Sequence, residues 1–370
     1  MSFFKSLFGG KKKSEVATDN KMSVSSATLK VLKIERLIKD AVKIEFEIPA
    51  ELKDKFTFVA GQYVNLDVVI DGEKVRRSYS ICSGEDEGLA VGVKKIEDGY
   101  VSAFLNDRLK EGDEMEVSFP MGNFTLPEKE DGTFVAIAAG SGITPILSMA
   151  KAIDKSENRE MRLFYGNRTD QTIMFENDLS ELEGNKVKVT HVFSDQEKEG
   201  FLHGMLTEDV LMNIFRADLS LLRAKGFYVC GPEQVVMNVI KVLDTFGVAE
   251  NKINYELFTT PVEMVGNKTA EPAEKFEGVA KVTVKLGGEE ETFDLAAKGD
   301  TILGEAESHG MDAPYSCRGG ICTSCKAKVT EGSVTMDKNF ALTDEEVEQG
   351  FTLTCQAHPN SPVVKIDYDI

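Results

Sequence analysis

The strongest constraint on this chain is the spacing of four cysteines near its C-terminal end. Cys317, Cys322 and Cys325 form the pattern C-x4-C-x2-C, and Cys355 follows as a single distant cysteine. This spacing matches that of a [2Fe–2S] cluster, in which four thiolates complete the coordination of two irons. A structural zinc site more often uses two short C-x2–4-C pairs, and this segment has only one. The spacing therefore favours a [2Fe–2S] cluster over a zinc site or unrelated thiols.

The rest of the sequence indicates a reducing compartment. Cys82 and Cys230 each stand alone in an apolar stretch, which is not the pattern of a disulfide framework. We expect no secretory signal in the first residues, because their basic run follows a short apolar stretch instead of preceding it. We expect residues 1–25 to be a disordered tail, and we expect the protein to be cytoplasmic.

The charge balance narrows the class of partner. The net charge of −19 argues against a nucleic-acid-binding protein, which needs a basic surface. An acidic surface could steer a basic partner, or it could serve only solubility. Residues 134–150 carry no charge, but glycines and a proline at their centre predict a strand, a glycine turn and a helix start. We therefore expect no transmembrane segment.

Residues 26–130 show short strand-like runs that end at turn residues. Alternation between Val31 and Ile48 is followed by a β-branched run from Tyr63 to Ile70, which ends at an Asp-Gly hairpin signal. Two more short runs cover residues 89–93 and 114–119. Many short strands closed by such turns predict an antiparallel β-barrel.

In residues 131–262 strands alternate with helices instead. The expected strands are 134–139, 161–165, 187–193, 227–230 and 253–258, and helices are expected to follow the first four of them. This alternation predicts a parallel, doubly wound α/β domain. Such sheets bind ligands beyond the carboxyl ends of their strands.

A third segment follows a polar linker at residues 263–278. Strands are expected at 280–286 and 291–295 around a Gly-Gly hairpin. A helix is expected at 301–308, before the cysteine loop, which is the C-x4-C-x2-C segment at residues 317–325. The third domain therefore covers residues 279–370.

Two polar motifs in the first domain could bind a nucleotide. The run Arg76-Arg-Ser-Tyr-Ser80 offers a guanidinium, an aromatic ring and hydroxyls, although such a run is often only part of a strand. Gly99-Tyr-Val-Ser102 precedes a helix expected at 102–109, and a helix N-terminus beside a glycine is suited to an anion.

Two turns in the second domain suit a dinucleotide. Gly140-Ser-Gly-Ile-Thr-Pro145 lies between a strand and a helix, and its glycines allow a pyrophosphate to approach the backbone. Arg168 follows the next strand, where a dinucleotide fold contacts the adenosine ribose. Its guanidinium suits a 2′-phosphate, so NADPH is favoured over NADH.

Together these motifs resemble the ferredoxin–NADP reductase superfamily, which implies a bound FAD. Its R-x-Y-S pattern matches residues 77–80. The resemblance implies that Arg77 holds the flavin phosphate, that Tyr79 packs on the isoalloxazine, and that Ser80 lies near flavin N5. Ser78 completes the motif. The backbone donors to the pyrophosphate would come from Gly99, Tyr100, Val101 and Ser102.

The same resemblance assigns residues to the nicotinamide site. The turn of Gly140, Gly142, Thr144 and Pro145 is similar to the superfamily's G-x-G-x-T-P turn, with Thr144 close to the nicotinamide. The turn of Cys230, Gly231 and Pro232 is similar to its C-G-P turn, with Cys230 near nicotinamide C4. Cys230 is otherwise read as a buried small residue. Glu256 is expected near both rings, and Phe258 against the flavin.

The C-terminal segment resembles plant-type ferredoxins from Ala280 to Ile370, which implies a β-grasp fold. This order of domains resembles the reductase subunits of multicomponent bacterial oxygenases, in particular the phenylacetyl-CoA epoxidase reductase type. It implies an oxidoreductase that takes hydride from NAD(P)H and passes single electrons to a protein acceptor. The alternatives are a stand-alone NAD(P)H:ferredoxin or flavodoxin reductase and a redox sensor without turnover.

Overall fold

The computed structural model describes residues 26–184, 186–258, 276–315 and 317–369. The expected disordered tail lies outside the described residues, as does most of the expected linker. Within the described ranges no helix is both long and apolar enough to cross a membrane.

The N-terminal domain is a six-stranded antiparallel sheet that curls towards closure. Its elements are β1 (Ser26–Ile38), β2 (Ala41–Glu47), β3 (Tyr63–Ile70), β4 (Glu73–Ser80), β5 (Leu89–Lys94), α1 (Tyr100–Asp107) and β6 (Glu114–Ser118). The strand order is β4-β3-β6-β1-β2-β5, and a bridge between Ile81 and Val91 joins the two edges. The predicted antiparallel barrel is confirmed.

The alternation between Val31 and Ile48 falls on two strands, β1 and β2. β1 and β2 pair as a hairpin whose register ends at Ile38 and Ala41. The turn between them, Lys39-Asp40, contains neither glycine nor proline, so the sequence carries no strong signal for it.

The second domain is a six-stranded sheet in which every pair is parallel. Its elements are β7 (Gly132–Ala139), α2 (Ile143–Lys155), β8 (Arg159–Asn167), α3 (Glu176–Leu182), β9 (Val187–Phe193), β10 (Leu202–His203), α4 (Glu208–Ala217), β11 (Phe227–Cys230), α5 (Glu233–Thr245) and β12 (Ile253–Glu256). The strand order β10-β9-β8-β7-β11-β12 confirms the doubly wound α/β prediction.

Helices cover both faces of this sheet. One face packs with α2 and α3 in a core that also takes in Ala60, Cys82 and Ala90 of the barrel, so the first two domains share apolar packing. The other face packs against α4 and α5, and Ile321 of the cysteine loop joins this second core. Such shared burial fixes the relative placement of the domains.

The third domain is a five-stranded sheet crossed by α6, with a small two-stranded sheet beside it. Its elements are β13 (Val279–Leu286), β14 (Glu289–Ala296), α6 (Ile302–Ser308), β15 (Lys326–Glu331), β16 (Val334–Met336), α7 (Asp344–Glu348), β17 (Phe351–Leu353), β18 (Ala357–Pro359) and β19 (Val363–Asp367). The order is β14-β13-β19-β15-β17, and β16 pairs with β18. The cysteine loop lies between α6 and β15.

Candidate functional site

A cavity of about 640 Å³ lies between the barrel and the carboxyl ends of the parallel strands. We call it the turn cavity, because the two predicted dinucleotide turns line it. The predicted site residues that line it are Arg77, Ser78, Tyr79, Ser80, Ser102, Gly140, Thr144, Gly231, Pro232 and Phe258. Its volume is in the range of ligand and cofactor sites. The R-x-Y-S pattern of residues 77–80 is called the flavin motif below, and the turns at residues 140–145 and 230–232 are called the nicotinamide turns. The structure thus brings the flavin motif and both nicotinamide turns to one cavity.

The remaining predicted residues of the flavin and nicotinamide sites lie around this cavity rather than along it. Gly99 and Tyr100 line a neighbouring cavity of about 580 Å³ at the start of α1. Val101, Pro145 and Cys230 are buried, and Gly142 is buried behind the first turn. Glu256 lines a second cavity, described below.

The turn at residues 140–145 contacts the turn at residues 230–232 through Gly142. A Cβ atom built on this glycine would stand 2.1 Å from the carbonyl oxygen of Cys230, which no side chain could tolerate. Thr144 donates a hydrogen bond to the Ser141 carbonyl oxygen at 3.0 Å, and α2 begins at Ile143. The glycine therefore lets the strand-to-helix turn pack directly on the Cys-Gly-Pro turn.

Glu256 links the parallel sheet to the flavin motif. It ends β12, where it pairs in register with Cys230 on β11. The Ser80 hydroxyl donates a hydrogen bond to its carboxylate at 3.2 Å. Burial raises the pKa of Glu256 to about 8, and it raises the pKa of the Cys230 thiol well above its ordinary value. The three residues predicted to be catalytic, Ser80, Cys230 and Glu256, are thus neighbours.

Arg168 stands apart at the end of β8. Its side chain is 79% exposed, and its Nε donates to the Asp195 carboxylate at 2.8 Å. This ion pair lies at the carboxyl ends of β8 and β9, the edge at which a dinucleotide fold binds adenosine.

A second cavity, of about 540 Å³, connects this region to the cysteine loop, and we call it the cysteine-loop cavity. Tyr315, Cys317 and Cys322 line its far side, and Glu256 lines its near side. It shares four lining residues with the turn cavity: Arg77, Ser78, Ser80 and Phe258. A group held in the turn cavity by these residues would therefore be next to the cysteine loop.

The four cysteines converge in the third domain. The sulfurs of Cys317 and Cys322 are 3.2 Å apart, and Cys355 interacts with the thiols of Cys317 and Cys325. Contact with Cys317, together with burial, raises the pKa of Cys322 well above its ordinary range. Thiols this close cannot all ionise unless cations lie among them, so the set suits an iron–sulfur cluster.

The backbone of the loop is also arranged for thiolates. The Gly319 amide donates to the Cys317 sulfur at 3.3 Å. Gly320 has a φ of +75°, and a Cβ on it would lie 2.8 Å from the Lys338 carbonyl oxygen. A glycine is required there, because the loop adopts a left-handed conformation against neighbouring backbone. Amides directed at sulfur stabilise its negative charge.

The sequence did not reveal the residues that join the flavin barrel to the cysteine loop. The Tyr63 hydroxyl lies 2.8 Å from Ser324 Oγ, across 261 residues of sequence. The Arg76 guanidinium lies over the Tyr315 ring, 5.5 Å from its centroid. The available signal was the alternation of β3, which places Tyr63, Asn65 and Asp67 on one polar face.

Comparison with known families assigns all three domains. Residues 28–126 match an oxidoreductase FAD-binding domain, residues 136–241 an oxidoreductase NAD-binding domain, and residues 284–360 a 2Fe-2S iron-sulfur cluster binding domain. The predicted cofactors FAD, NAD(P)H and [2Fe–2S] are therefore confirmed.

Among whole proteins, the chain is 34% identical over 350 residues to a subunit of 1,2-phenylacetyl-CoA epoxidase from Escherichia coli (strain K12), covering 92% of this chain and 97% of that one. The chain belongs to the ferredoxin–NADP reductase superfamily, in the branch that carries a C-terminal [2Fe–2S] ferredoxin domain. This reductase is also 32% identical to the ferredoxin reductase component of 3-ketosteroid-9-alpha-monooxygenase from Rhodococcus rhodochrous, over 89% of this chain and 93% of that one.

Solved structures show the same three-domain fold. The reductase superposes on phthalate dioxygenase reductase with a TM-score of 0.56 at 24% identity, covering 93% of this chain and 98% of that one. It superposes on an intact type IV self-sufficient cytochrome P450 monooxygenase with a TM-score of 0.68 at 21% identity, covering 92% of this chain and 41% of that one. These likenesses confirm the fold class, including the β-grasp prediction.

Proposed function

We propose that this reductase takes hydride from NAD(P)H and delivers single electrons, by way of FAD and a [2Fe–2S] cluster, to an oxygenase component. The observation that carries the proposal is that the two cavities share four lining residues, Arg77, Ser78, Ser80 and Phe258. The turn cavity is lined by the nicotinamide turns, the cysteine-loop cavity reaches Cys317 and Cys322, and the flavin motif lines both.

The residues divide the work between binding and orientation. FAD, when bound, accepts a hydride as an electron pair, and a [2Fe–2S] cluster accepts one electron at a time. We assign Arg77 to the flavin phosphate, Tyr79 and Phe258 to the isoalloxazine, and residues 99–102 to the pyrophosphate. The cluster ligands are Cys317, Cys322, Cys325 and Cys355.

Four residues act at the reacting edge. Thr144 and the Cys230 turn orient the nicotinamide, because both line or support the turn cavity opposite Ser80. The raised pKa of Glu256 keeps its carboxyl protonated at neutral pH, so it adds no negative charge beside the flavin motif. Ser80 lines both cavities and donates a hydrogen bond to Glu256, which lines the cysteine-loop cavity.

The names of the relatives support an oxygenase component as acceptor. They include an epoxidase subunit and the reductase components of 3-ketosteroid-9-alpha-monooxygenase and glycine betaine monooxygenase. The excess of acidic over basic residues, 62 against 43, suits an acceptor with a basic docking face. We also propose a cytoplasmic location, because none of the six cysteines is paired in a disulfide and a reducing compartment keeps cysteines unpaired.

An absorbance spectrum followed by anaerobic titration with NADPH and, separately, NADH tests the proposal. We expect flavin bands and a broad iron–sulfur envelope, both of which bleach when a nucleotide is added. A protein whose cofactors neither nucleotide bleaches would instead support the redox sensor. The reduced protein is then mixed with possible acceptors. Rapid reoxidation of its cofactors by a purified oxygenase component supports the proposed role, whereas rapid reoxidation by a ferredoxin or flavodoxin supports a stand-alone reductase.

A further inference from the structure

The outer face of β3 is buried at one end only. Val64, Leu66 and Val68 point into the barrel core, so the alternate residues point outward. Along that outward row Tyr63, Asn65 and Asp67 are 4%, 3% and 7% exposed, whereas Val69 is 65% exposed. The buried end is the part of the row nearest the ferredoxin domain, where the Tyr63 hydroxyl contacts Ser324.

Ser324 is the meeting point of this contact. It lies between the ligands Cys322 and Cys325 and is 5% exposed. Its Oγ lies 2.8 Å from the Tyr63 hydroxyl, 3.4 Å from Asn65 Nδ2, and 3.5 Å from the Cys322 sulfur. Two groups of the flavin barrel therefore bond to a hydroxyl that touches a cluster ligand.

The barrel groups are fixed before they meet Ser324. Asn65 Oδ1 accepts a hydrogen bond from the Ser78 hydroxyl at 2.8 Å, and its Nδ2 donates to Ser324 Oγ and to the Met121 sulfur at 3.9 Å. Tyr63 on β3 pairs in register with Ser80 on β4, and Asn65 pairs with Ser78. The strand that carries the flavin motif therefore also fixes the positions of Tyr63 and Asn65. The ferredoxin domain is also tied by Asn123, which donates to Glu346 at 3.3 Å.

The direction of the hydrogen bonds follows from the ligand chemistry. A Cys322 thiolate has no proton to give, so the Ser324 hydroxyl must be the donor to sulfur. The lone pairs of Ser324 then accept from Asn65 Nδ2 and from the Tyr63 hydroxyl. In this series of hydrogen bonds each donated proton points towards the Cys322 sulfur. Hydrogen bonds arranged in series strengthen one another.

We propose that Tyr63 and Asn65 are positioning residues that dock the cysteine loop on the flavin barrel and, through Ser324, stabilise the reduced cluster. The inference rests on the proposed flavin-to-cluster electron path. It adds that residues of the flavin domain set the reduction potential of a cluster bound by another domain. Hydrogen bonds to sulfur favour the reduced state, because reduction adds negative charge there.

The test is the midpoint potential of the cluster, measured by an EPR-monitored redox titration of the full-length holoprotein. Tyr63→Phe removes one oxygen and should shift the equilibrium about fivefold against reduction, which is about 40 mV, since tenfold is about 59 mV for one electron. Tyr228→Phe is the matched control. It also removes a buried tyrosine hydroxyl that bonds across domains, to the Thr125 carbonyl oxygen at 3.2 Å, away from the cluster. It should leave the potential unchanged.

A double-mutant cycle shows whether the effect passes through Ser324. Ser324→Ala should lower the potential at least as much as Tyr63→Phe, and Tyr63→Phe should add nothing in that background. Asn65→Ala should lower the potential in the same direction, and it replaces Tyr63→Phe if that variant fails to hold its cluster.

An unchanged potential in Tyr63→Phe, or an equal shift in Tyr228→Phe, would overturn the inference. Additive shifts in the cycle would overturn the route through Ser324. None of these outcomes touches the proposed function, which is tested by nucleotide bleaching of the wild-type cofactors.

Discussion

At the scale of single residues, the structure makes Glu256 an unusual acid. Its carboxyl group is held by Ser80 and lines the cysteine-loop cavity, and burial raises its pKa to about 8. Hydrogen bonding to Ser80 alone would have lowered the pKa, so desolvation dominates. The sequence identified Glu256 only through family resemblance, because burial of a strand-terminal glutamate depends on the packing of three domains.

Glu256 gives a prediction about stability and pH. Its folded pKa of about 8 lies above the ordinary 4.5, so the unfolded chain loses this proton first as pH rises. Wild-type stability should therefore fall relative to Glu256→Gln between about pH 4.5 and 8, by at least about 1.4 kcal/mol, and the gap should be constant outside this interval. Thermal unfolding of both proteins across this range measures it. Parallel curves would show that Glu256 is not desolvated.

Arg168 and Asp195 give a prediction about nucleotide choice. A 2′-phosphate must compete with the Asp195 carboxylate for the Arg168 guanidinium. Asp195→Asn should raise kcat/KM for NADPH about tenfold and leave that for NADH nearly unchanged, because only NADPH carries the phosphate. Asp170→Asn, which breaks the neighbouring exposed pair with Lys198, is the control. Equal changes in kcat/KM for NADPH and NADH would contradict a role for Arg168 in binding the 2′-phosphate. The preference of the wild type for NADPH stays a prediction.

At the scale of elements, the sequence predicted most of the structure. β9 and β11 begin and end at the predicted residues, since each is a compact apolar run between clear breaks. Helix α1 begins at Tyr100 instead of Ser102, because Gly99 serves as its N-cap residue. The glycine turns were found from the sequence alone, whereas the close packing of Gly142 on Cys230 was not, because it joins turns from different strands.

One long-range contact holds α2 in place. Lys151 is nearly buried and bonds to Glu87 of the barrel at 2.7 Å and to Asp178 of α3 at 2.9 Å. Burial alone would lower the pKa of Lys151, but these two carboxylates outweigh it and raise the pKa. Lys151 therefore stays charged and ties the flavin barrel to two helices of the nucleotide domain.

Lys151→Met should destabilise the protein by about 1–2 kcal/mol, because it removes the nearly buried cation from two partly buried carboxylates and leaves Glu87 with the longer contact to Lys155, at 3.8 Å. Lys241→Met is the control, because Lys241 on α5 forms an exposed ion pair with Glu208 of α4 at 2.6 Å; its loss of stability should be clearly smaller than that of Lys151→Met. The Gly84 amide and Lys151 lower the pKa of Glu87, so the part of the Lys151 contribution that passes through Glu87 should be present at neutral pH and be lost as Glu87 is protonated in acid. Denaturant unfolding at both pH values checks this, and equal losses for the two variants would contradict it.

At the scale of the whole molecule, the sequence predicted the order of the domains but not the contacts by which they dock. Motifs identify each domain because their residues are close in sequence. The contact between Tyr63 and Ser324 spans 261 residues and leaves no local pattern. Docking nevertheless determines function, because it places the flavin motif and the cysteine loop around one cavity.

This arrangement predicts that hydride transfer and cluster reduction can be separated. Cys322→Ser should abolish the cluster, because it removes one of four ligands, and should leave the reduction of a dye that accepts electrons from flavin. Reduction of acceptors that need the cluster should fall to background. Flavin content and dye reduction with NADPH and NADH are the measurements. Loss of dye reduction with flavin still bound would show that the two steps are not independent.

Anaerobic rapid mixing of the wild-type holoprotein with one equivalent of nucleotide, followed at the flavin and iron–sulfur absorbance bands, tests the flavin-to-cluster electron path. We expect the flavin band to bleach first and the cluster band to follow at a rate that does not depend on protein concentration, because both centres belong to one docked molecule. Cluster bleaching that becomes faster in proportion to protein concentration, or that does not follow flavin reduction, would contradict the proposed electron path.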